Sequence, residues 1–161
     1  MLKCNTEIMK ELKKIDEEKT VVLAKEREQS IIKYVSNEDK IIPAYSYAET
    51  RATLDELYNR EIYLKGLLQK ANATVLVPEF NMTIGDCLVY LAQLAEKART
   101  LRTLAYKEPK SRTLQYQKQV EFSEALYDID LAKSDYEATV ELITKLQMAI
   151  DRVNLTNLIE V

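Results

Sequence analysis

The stretch KANATVLVPEFNMTIGD, Lys70 to Asp86, decides how the rest of the chain is read. It interrupts two long, charged, helix-patterned segments with an apolar run that suits a strand. Thr74, Val75, Val77 and Phe80 are types that fit a pleated surface. Pro78 has no N–H to donate, so a strand here either ends at it or lies at an edge. Immediately downstream, Thr83 and Asp86 make a Thr-x-x-Asp helix start. The hydroxyl accepts an early backbone N–H, and the carboxylate suits the positive end of the helix. The reading is helix, extended segment over about 74–80, helix.

Working outward, a helix over about 83–107 carries Ile84, Cys87, Leu88, Leu91, Leu94, Ala98, Leu101 and Ala105 at the three/four spacing of a buried stripe. Pro109 closes it. Upstream, a helix over about 46–72 opens on the Ser46-x-x-Glu49 capping box. It buries Leu54, Leu57, Leu64, Leu68 and Ala71, and ends near Asn72. A first helix over about 5–36 follows Ile8, Leu12, Ile15 and Val22, then Ile31, Ile32 and Val35, before Pro43 forbids continuation. At a rise of 1.5 Å per residue it is a rod of about 45 Å, a length typical of coiled coils and long bundles.

After Pro109, residues 113–122 alternate apolar and polar, with a slip of phase near Gln117 to Gln119 that predicts a bulge. A fourth helix over about 123–153 places Leu126, Ile129, Tyr136, Val140, Ile143, Leu146, Ile150 and Val153 on one side. The two extended segments bracket the third helix, so 74–80 is expected to pair with 113–122 as a ribbon at one end of the bundle. A lone two-stranded ribbon is marginal in water and needs cover from helices or a neighbouring subunit. The expected fold is mainly α: one domain over 1–161, a long-helix antiparallel bundle of about four helices with a small two-stranded β ribbon.

Composition narrows the chemistry. The chain has 161 residues, with 2 Gly, 3 Pro and no His. Without His there is no Ser-His or Cys-His nucleophile system and no Glu-x-x-His di-iron motif. Gly66 and Gly85 alone cannot build a phosphate-cradling loop, and Cys4 and Cys87 cannot make a four-ligand zinc site within one chain. The widely separated thiols fit a reducing cytoplasm. The start MLKCNTEIMKELKK lacks the apolar centre of a signal peptide, and no apolar run reaches the roughly 18 residues that cross a bilayer. A cytoplasmic protein with no membrane partner is expected. Asn-x-Thr sequences at Asn72, Asn81 and Asn154 read as helix caps rather than glycosylation sites.

No catalytic or cofactor-binding residue is assigned. Glu26 and Glu61 fall close to core stripes where the spacing predicts apolar residues. In an antiparallel hairpin they could gather as oxygen ligands for Mg²⁺ or Mn²⁺, the basis for reading a metal-dependent hydrolase. The plainer reading pairs them with Lys19, Lys25 or Arg60 in a polar layer. Residues 97–112 carry Lys97, Arg99, Arg102, Lys107, Lys110 and Arg112, while the start of the fourth helix is acidic. Docking of one on the other accounts for this. An RNA-binding accessory module is the alternative, against which the net charge of −3 argues. Ten tyrosines spread along the chain suit interfaces as well as cores. Long half-polar helices bury more surface in symmetric assemblies, and the leading expectation is a homo-oligomeric assembly or interaction module.

Two segments carry a family resemblance. LLQKANATVLVPEFNMTIGDCLVYLAQLAEKARTLRTLA, residues 67–105, has a helix ending in Asn, a Thr-containing extended stretch and a Thr-hydrophobic-x-Asp helix start. KLQMAIDRVNLTNLIEV, residues 145–161, carries Gln147, Asp151, Asn154 and Thr156. Both resemble the small uncharacterised bacterial helical proteins sometimes labelled septicolysin. The resemblance implies a long-helix fold with a small extended element and oligomerisation, and it carries over no catalytic residue. The chain shows no membrane-inserting hairpin or lytic helix of the kind that label suggests.

Overall fold

The structure, a computed structural model, describes residues 1–116 and 119–161, with the backbone alone at 113–116 and 119. In chain order the elements are β1 (Leu2–Cys4), α1 (Asn5–Gln29), α2 (Tyr47–Thr74), β2 (Leu76–Val77), β3 (Met82–Thr83), α3 (Ile84–Ala105), β4 (Lys110–Tyr116), β5 (Gln119–Glu124), α4 (Ile129–Thr156) and β6 (Leu158–Glu160). The fold is mainly α, with four helices and two-stranded antiparallel sheets among the described residues, as the sequence leads one to expect.

The 70–86 stretch pairs with itself. Leu76 and Val77 of β2 face Thr83 and Met82 of β3. The turn between them has Pro78 at its second position, with Phe80 N–H donating to the Val77 carbonyl at 3.1 Å. Asn81 adopts φ 50, the left-handed conformation that Asn tolerates better than most residues. Thr83 then caps α3, its hydroxyl accepting the Asp86 N–H at 3.1 Å. The expected ribbon between 74–80 and 113–122 is not formed, because β4 pairs with β5 instead. Closing a turn of a few residues costs far less chain entropy than joining segments on either side of a helix. The β4–β5 register shifts between Thr113 and Tyr116; of the bulge expected near Gln117 to Gln119, residues 117 and 118 lie outside the described residues.

Two helix bounds differ from expectation. α1 stops at Gln29 rather than 36, its cap Ser30 donating N–H to the Glu26 carbonyl at 2.9 Å. Ile31, Ile32 and Val35 are β-branched and poor helix formers. Most helical stability comes from packing against a partner, and Ile31 and Val35 remain exposed. α4 begins at Ile129 rather than 123, since 119–124 is strand. Asp128 caps it, its carboxylate accepting the Leu131 N–H at 3.0 Å. None of the three Asn-x-Thr asparagines is a helix cap: Asn72 and Asn154 lie within α2 and α4, and Asn81 forms the turn.

The chain divides into two compact units, Met1–Asn72 with Asn154–Val161, and Ala73–Val153. In the first, α1 and α2 run antiparallel, since Glu11 meets Arg60 and Glu26 meets Arg51. Ile8, Ile15 and Leu64 form its core, with Leu12, Leu57, Leu68, Ile159 and Val161 packed around them. β1 pairs with β6, Lys3 facing Ile159. Asn5 is wholly buried beside this ribbon, donating to Asn154 Oδ1 at 3.0 Å and accepting from Asn157 Nδ2 at 3.1 Å.

In the second unit Val77, Ile84, Cys87 and Leu94 pack with Leu146, Ala149, Ile150 and Val153 of α4. Val77 and Ile84 are 0% and 1% exposed, each burial being worth about 1.5–3 kcal/mol. Leu88, expected on the same stripe, is exposed. Arg152 pairs with Glu79 of the β2–β3 turn. At the β4–β5 end, the Tyr127 hydroxyl donates to the Leu104 carbonyl at 2.8 Å, and Tyr106 and Tyr136 meet edge to face at 6.0 Å.

Candidate functional site

On the facing sides of α1 and α2, three glutamates each hold cations. Glu11 accepts from Arg60 Nε at 2.9 Å and Nη2 at 2.8 Å, and from Lys3. Glu61 accepts from Lys19 at 2.7 Å and pairs with Lys65 at 2.6 Å. Glu26 accepts the Tyr45 hydroxyl at 2.9 Å and the Arg51 guanidinium. These partners hold all three carboxyls below the ordinary glutamate value. The main cause is the Lys3 hydrogen bond for Glu11, the Lys19 hydrogen bond for Glu61 and the Tyr45 hydroxyl for Glu26. In return Glu61 raises Lys19, while burial and then the Glu26 hydrogen bond raise Tyr45.

The structure thus pairs Glu61 with Lys19, gives Arg60 to Glu11 and leaves Lys25 without an ion-pair partner among the described residues. Glu26 and Glu61 do not converge. Glu26 faces Arg51, and Glu61 lies ten residues farther along α2, about 15 Å at the helical rise. Both oxygens of each carboxylate are engaged by donors, so a cation would first have to displace a lysine, an arginine or a tyrosine. Among the described residues no three Cys, Asp or Glu gather as a metal-binding group.

The Glu26 end borders a cleft of about 180 Å³ that is open to solvent on one side. Val22, Lys25, Glu26 and Gln29 come from α1, Ala44, Tyr45 and Ser46 from the returning segment, and Glu49, Thr50 and Thr53 from α2. The segment turns at Pro43, whose carbonyl accepts the Tyr45 N–H at 2.9 Å. Half of the expected capping box is present: Ser46 Oγ accepts the Glu49 N–H at 3.4 Å. Among the described residues the Glu49 carboxylate has no hydrogen-bond or ion-pair partner, and Glu49 lines the cleft. Among the described residues, two buried side-chain polar atoms lack hydrogen-bond partners, Gln29 Oε1 and Arg51 Nε. Of the cleft residues, the sequence singles out Glu26 for a site. Gln29 and Tyr45 carry no local signal, since only the return of residues 30–46 brings them together.

The basic segment is partly self-compensated. Arg99 pairs with Glu96 at 2.7 Å, and Lys110 joins the acidic region at Glu124, 3.7 Å away, its ammonium 5.3 Å from the Phe122 ring. Arg102 and Thr103 line an open cleft with Tyr106 and Tyr136. Among the described residues no helix is long and apolar enough to cross a membrane.

No family model matches the sequence, and no curated protein does. In three dimensions the chain is similar to a protein from Corynebacterium diphtheriae whose crystal structure is described as that of a functionally unknown conserved protein. The two agree with a TM-score of 0.71 at 19% identity, over 99% of this chain and 100% of that one. At that identity the likeness is one of fold.

Proposed function

We propose that this chain is a self-associating helical assembly module of the cytoplasm, acting through surface that its copies bury in one another. The observation that carries the reading is how little surface the chain buries alone. Its accessible area is 12354 Å² at 18.6 kDa. Two separate compact bodies of half that mass would together expose only about 9,900 Å². The excess, about 2,400 Å², is comparable to what a stable protein–protein interface covers.

Apolar side chains account for part of that excess. Ile31, Val35, Ile41 and Ile42, between α1 and α2, are 62% to 88% exposed. Tyr47, Tyr58, Tyr63 and Tyr106 are exposed as well, and tyrosine rings supply contact area at interfaces. Each unit is built on one pair of helices, and a second packed layer is the usual way to cover the remaining face. A second copy supplies that layer with closed symmetry. The resemblance of residues 67–105 and 145–161 to an oligomerising family supports the same reading.

Sedimentation equilibrium over a range of concentrations tests it. A mass of twice the 18.6 kDa chain or more is expected, with Ile41→Asp and Ile42→Asp together shifting the equilibrium toward monomer. A monomer mass up to the solubility limit overturns the proposal.

A further inference from the structure

We propose that the outer face of α2 packs antiparallel against the same face of a second copy, about a two-fold axis beside Leu64. This deepens the assembly reading and rests on it, naming the surface and register through which copies meet.

Gly66 points to that face. It lies well inside α2 and is exposed, and a Cβ built on it would meet nothing within 4 Å. Its φ is not positive, so no special backbone conformation requires glycine there. Glycine is the least favourable helix-interior residue after proline, and alanine would fit the same space. The chain by itself therefore gives no reason for this residue. A helix glycine leaves a notch that lets another backbone or a bulky side chain come close. Four residues earlier on the same helix Ile62 is 70% exposed, a large apolar side chain facing solvent.

Notch and knob belong to one seam. Asp55, Asn59, Ile62, Gly66 and Gln69 are all exposed and follow the alternating four/three spacing of a heptad face. Leu57, Leu64 and Ala71 repeat every seven residues on the opposite side of the helix and pack inward. Among the described residues the side chains of Asp55, Glu56, Asn59 and Gln69 have no hydrogen-bond or ion-pair partner.

The seam is complementary to itself in one register. With two α2 helices antiparallel and the axis beside Leu64, Ile62 of each copy seats on Gly66 of the other. Asn59 then meets Gln69, and two amides can exchange hydrogen bonds. On one flank Glu56 comes opposite Lys70, and Tyr63 meets its own copy. On the other flank the two Lys65 side chains approach, each already neutralised by Glu61 of its own chain at 2.6 Å. A parallel pair would set Gly66 against Gly66, leaving a hole, and Asp55 against Asp55, where like charges repel.

The test exchanges knob and notch in the full chain and follows self-association by sedimentation equilibrium. Ile62→Gly alone opens a hole opposite Gly66, and Gly66→Ile alone sets two isoleucines in one layer. Each should weaken association about tenfold. The double variant restores an isoleucine opposite a glycine and should recover most of the loss. Both positions are exposed, so the variants keep the fold, which circular dichroism checks. An assembled parent chain whose association is indifferent to both single changes overturns this face and leaves the assembly reading standing. Weakening by the single changes without recovery in the double variant overturns the antiparallel register. A parent chain that stays monomeric overturns both readings.

Discussion

Asn5 and Asn154, 149 positions apart in sequence, share a 3.0 Å hydrogen bond at a site where Asn5 has no exposed surface. Asn157 Nδ2 adds a second bond to Asn5 Oδ1 at 3.1 Å, and the Thr6 hydroxyl donates to the Asn154 carbonyl at 3.4 Å. The network fastens the first turn of α1 to the last turn of α4, next to the β1–β6 ribbon.

Removing Asn5 therefore costs more than one bond. Asn5→Ala leaves Asn154 Oδ1 and Asn157 Nδ2 without their partner, a destabilisation of about 1–3 kcal/mol. Urea unfolding should show a lower midpoint at unchanged slope. Asn5→Ala with Asn154→Ala should cost less than the two single changes summed, because they break the same bond.

Leu146 is 0% exposed and sits among Val77, Ile84, Cys87 and Leu94. Leu146→Ala opens a cavity there and should cost about 2–5 kcal/mol. Two positions along the same helix Met148 is 60% exposed, and Met148→Ala should stay within about 0.5 kcal/mol in the isolated chain. A comparable loss at both positions, measured on the monomer, would contradict the assigned core.

Acid should unfold the first unit through its paired glutamates. Glu11, Glu26 and Glu61 all have folded-state values below the ordinary 4.5. As pH falls, the unfolded chain takes up protons first, so the stabilisation is complete above 4.5 and is lost as pH drops through the lower folded values. Denaturation midpoints measured at descending pH should fall less steeply for Glu26→Gln and Glu61→Gln than for the parent chain. Tyr45→Phe removes the largest cause at Glu26 and should move that carboxyl back toward its ordinary value, read by carboxyl-carbon NMR.

The Cys87 thiol is buried, and burial, with Asp86 beside it, pushes its pKa up. Thiolate is the reactive form, so an aromatic disulfide reagent should label Cys87 at the rate of unfolding rather than at the rate of a free thiol. Fast labelling under native conditions would show that the Val77–Leu146 core opens locally.

What could be read from sequence was what depends on neighbours in the chain. The bounds of α2 and α3, the Thr83 cap and the end of β2 at Pro78 all follow from spacing or from single-residue backbone chemistry. Each matches within about two residues, the usual uncertainty of helix ends. The first helix was overextended because Ile31 and Val35 continue its periodicity, and periodicity alone does not say whether a partner lies opposite. The strand partners were misassigned for the same reason, since alternation marks a strand without naming its mate.

The candidate site divides along the same line. Glu26 and Glu61 stand out in sequence as charges close to apolar stripes, and they are indeed half-buried. Their partners were set by helix register: an antiparallel pairing brings Arg51 to Glu26 and Lys19 to Glu61, and keeps the two carboxylates turns apart. Gln29, Tyr45 and Glu49 meet only because residues 30–46 carry the chain back from α1 to α2, and Asn5 meets Asn154 only because the two ends of the chain pair as β1 and β6. Sequence alone determined that there are four helices, where α1, α2 and α3 start, and the lack of histidine for any chemistry, because local sterics and composition act without long-range contacts. Only the tertiary structure decided which strands pair, which charges neutralise one another and where a cleft remains, because those depend on which distant surfaces come into contact.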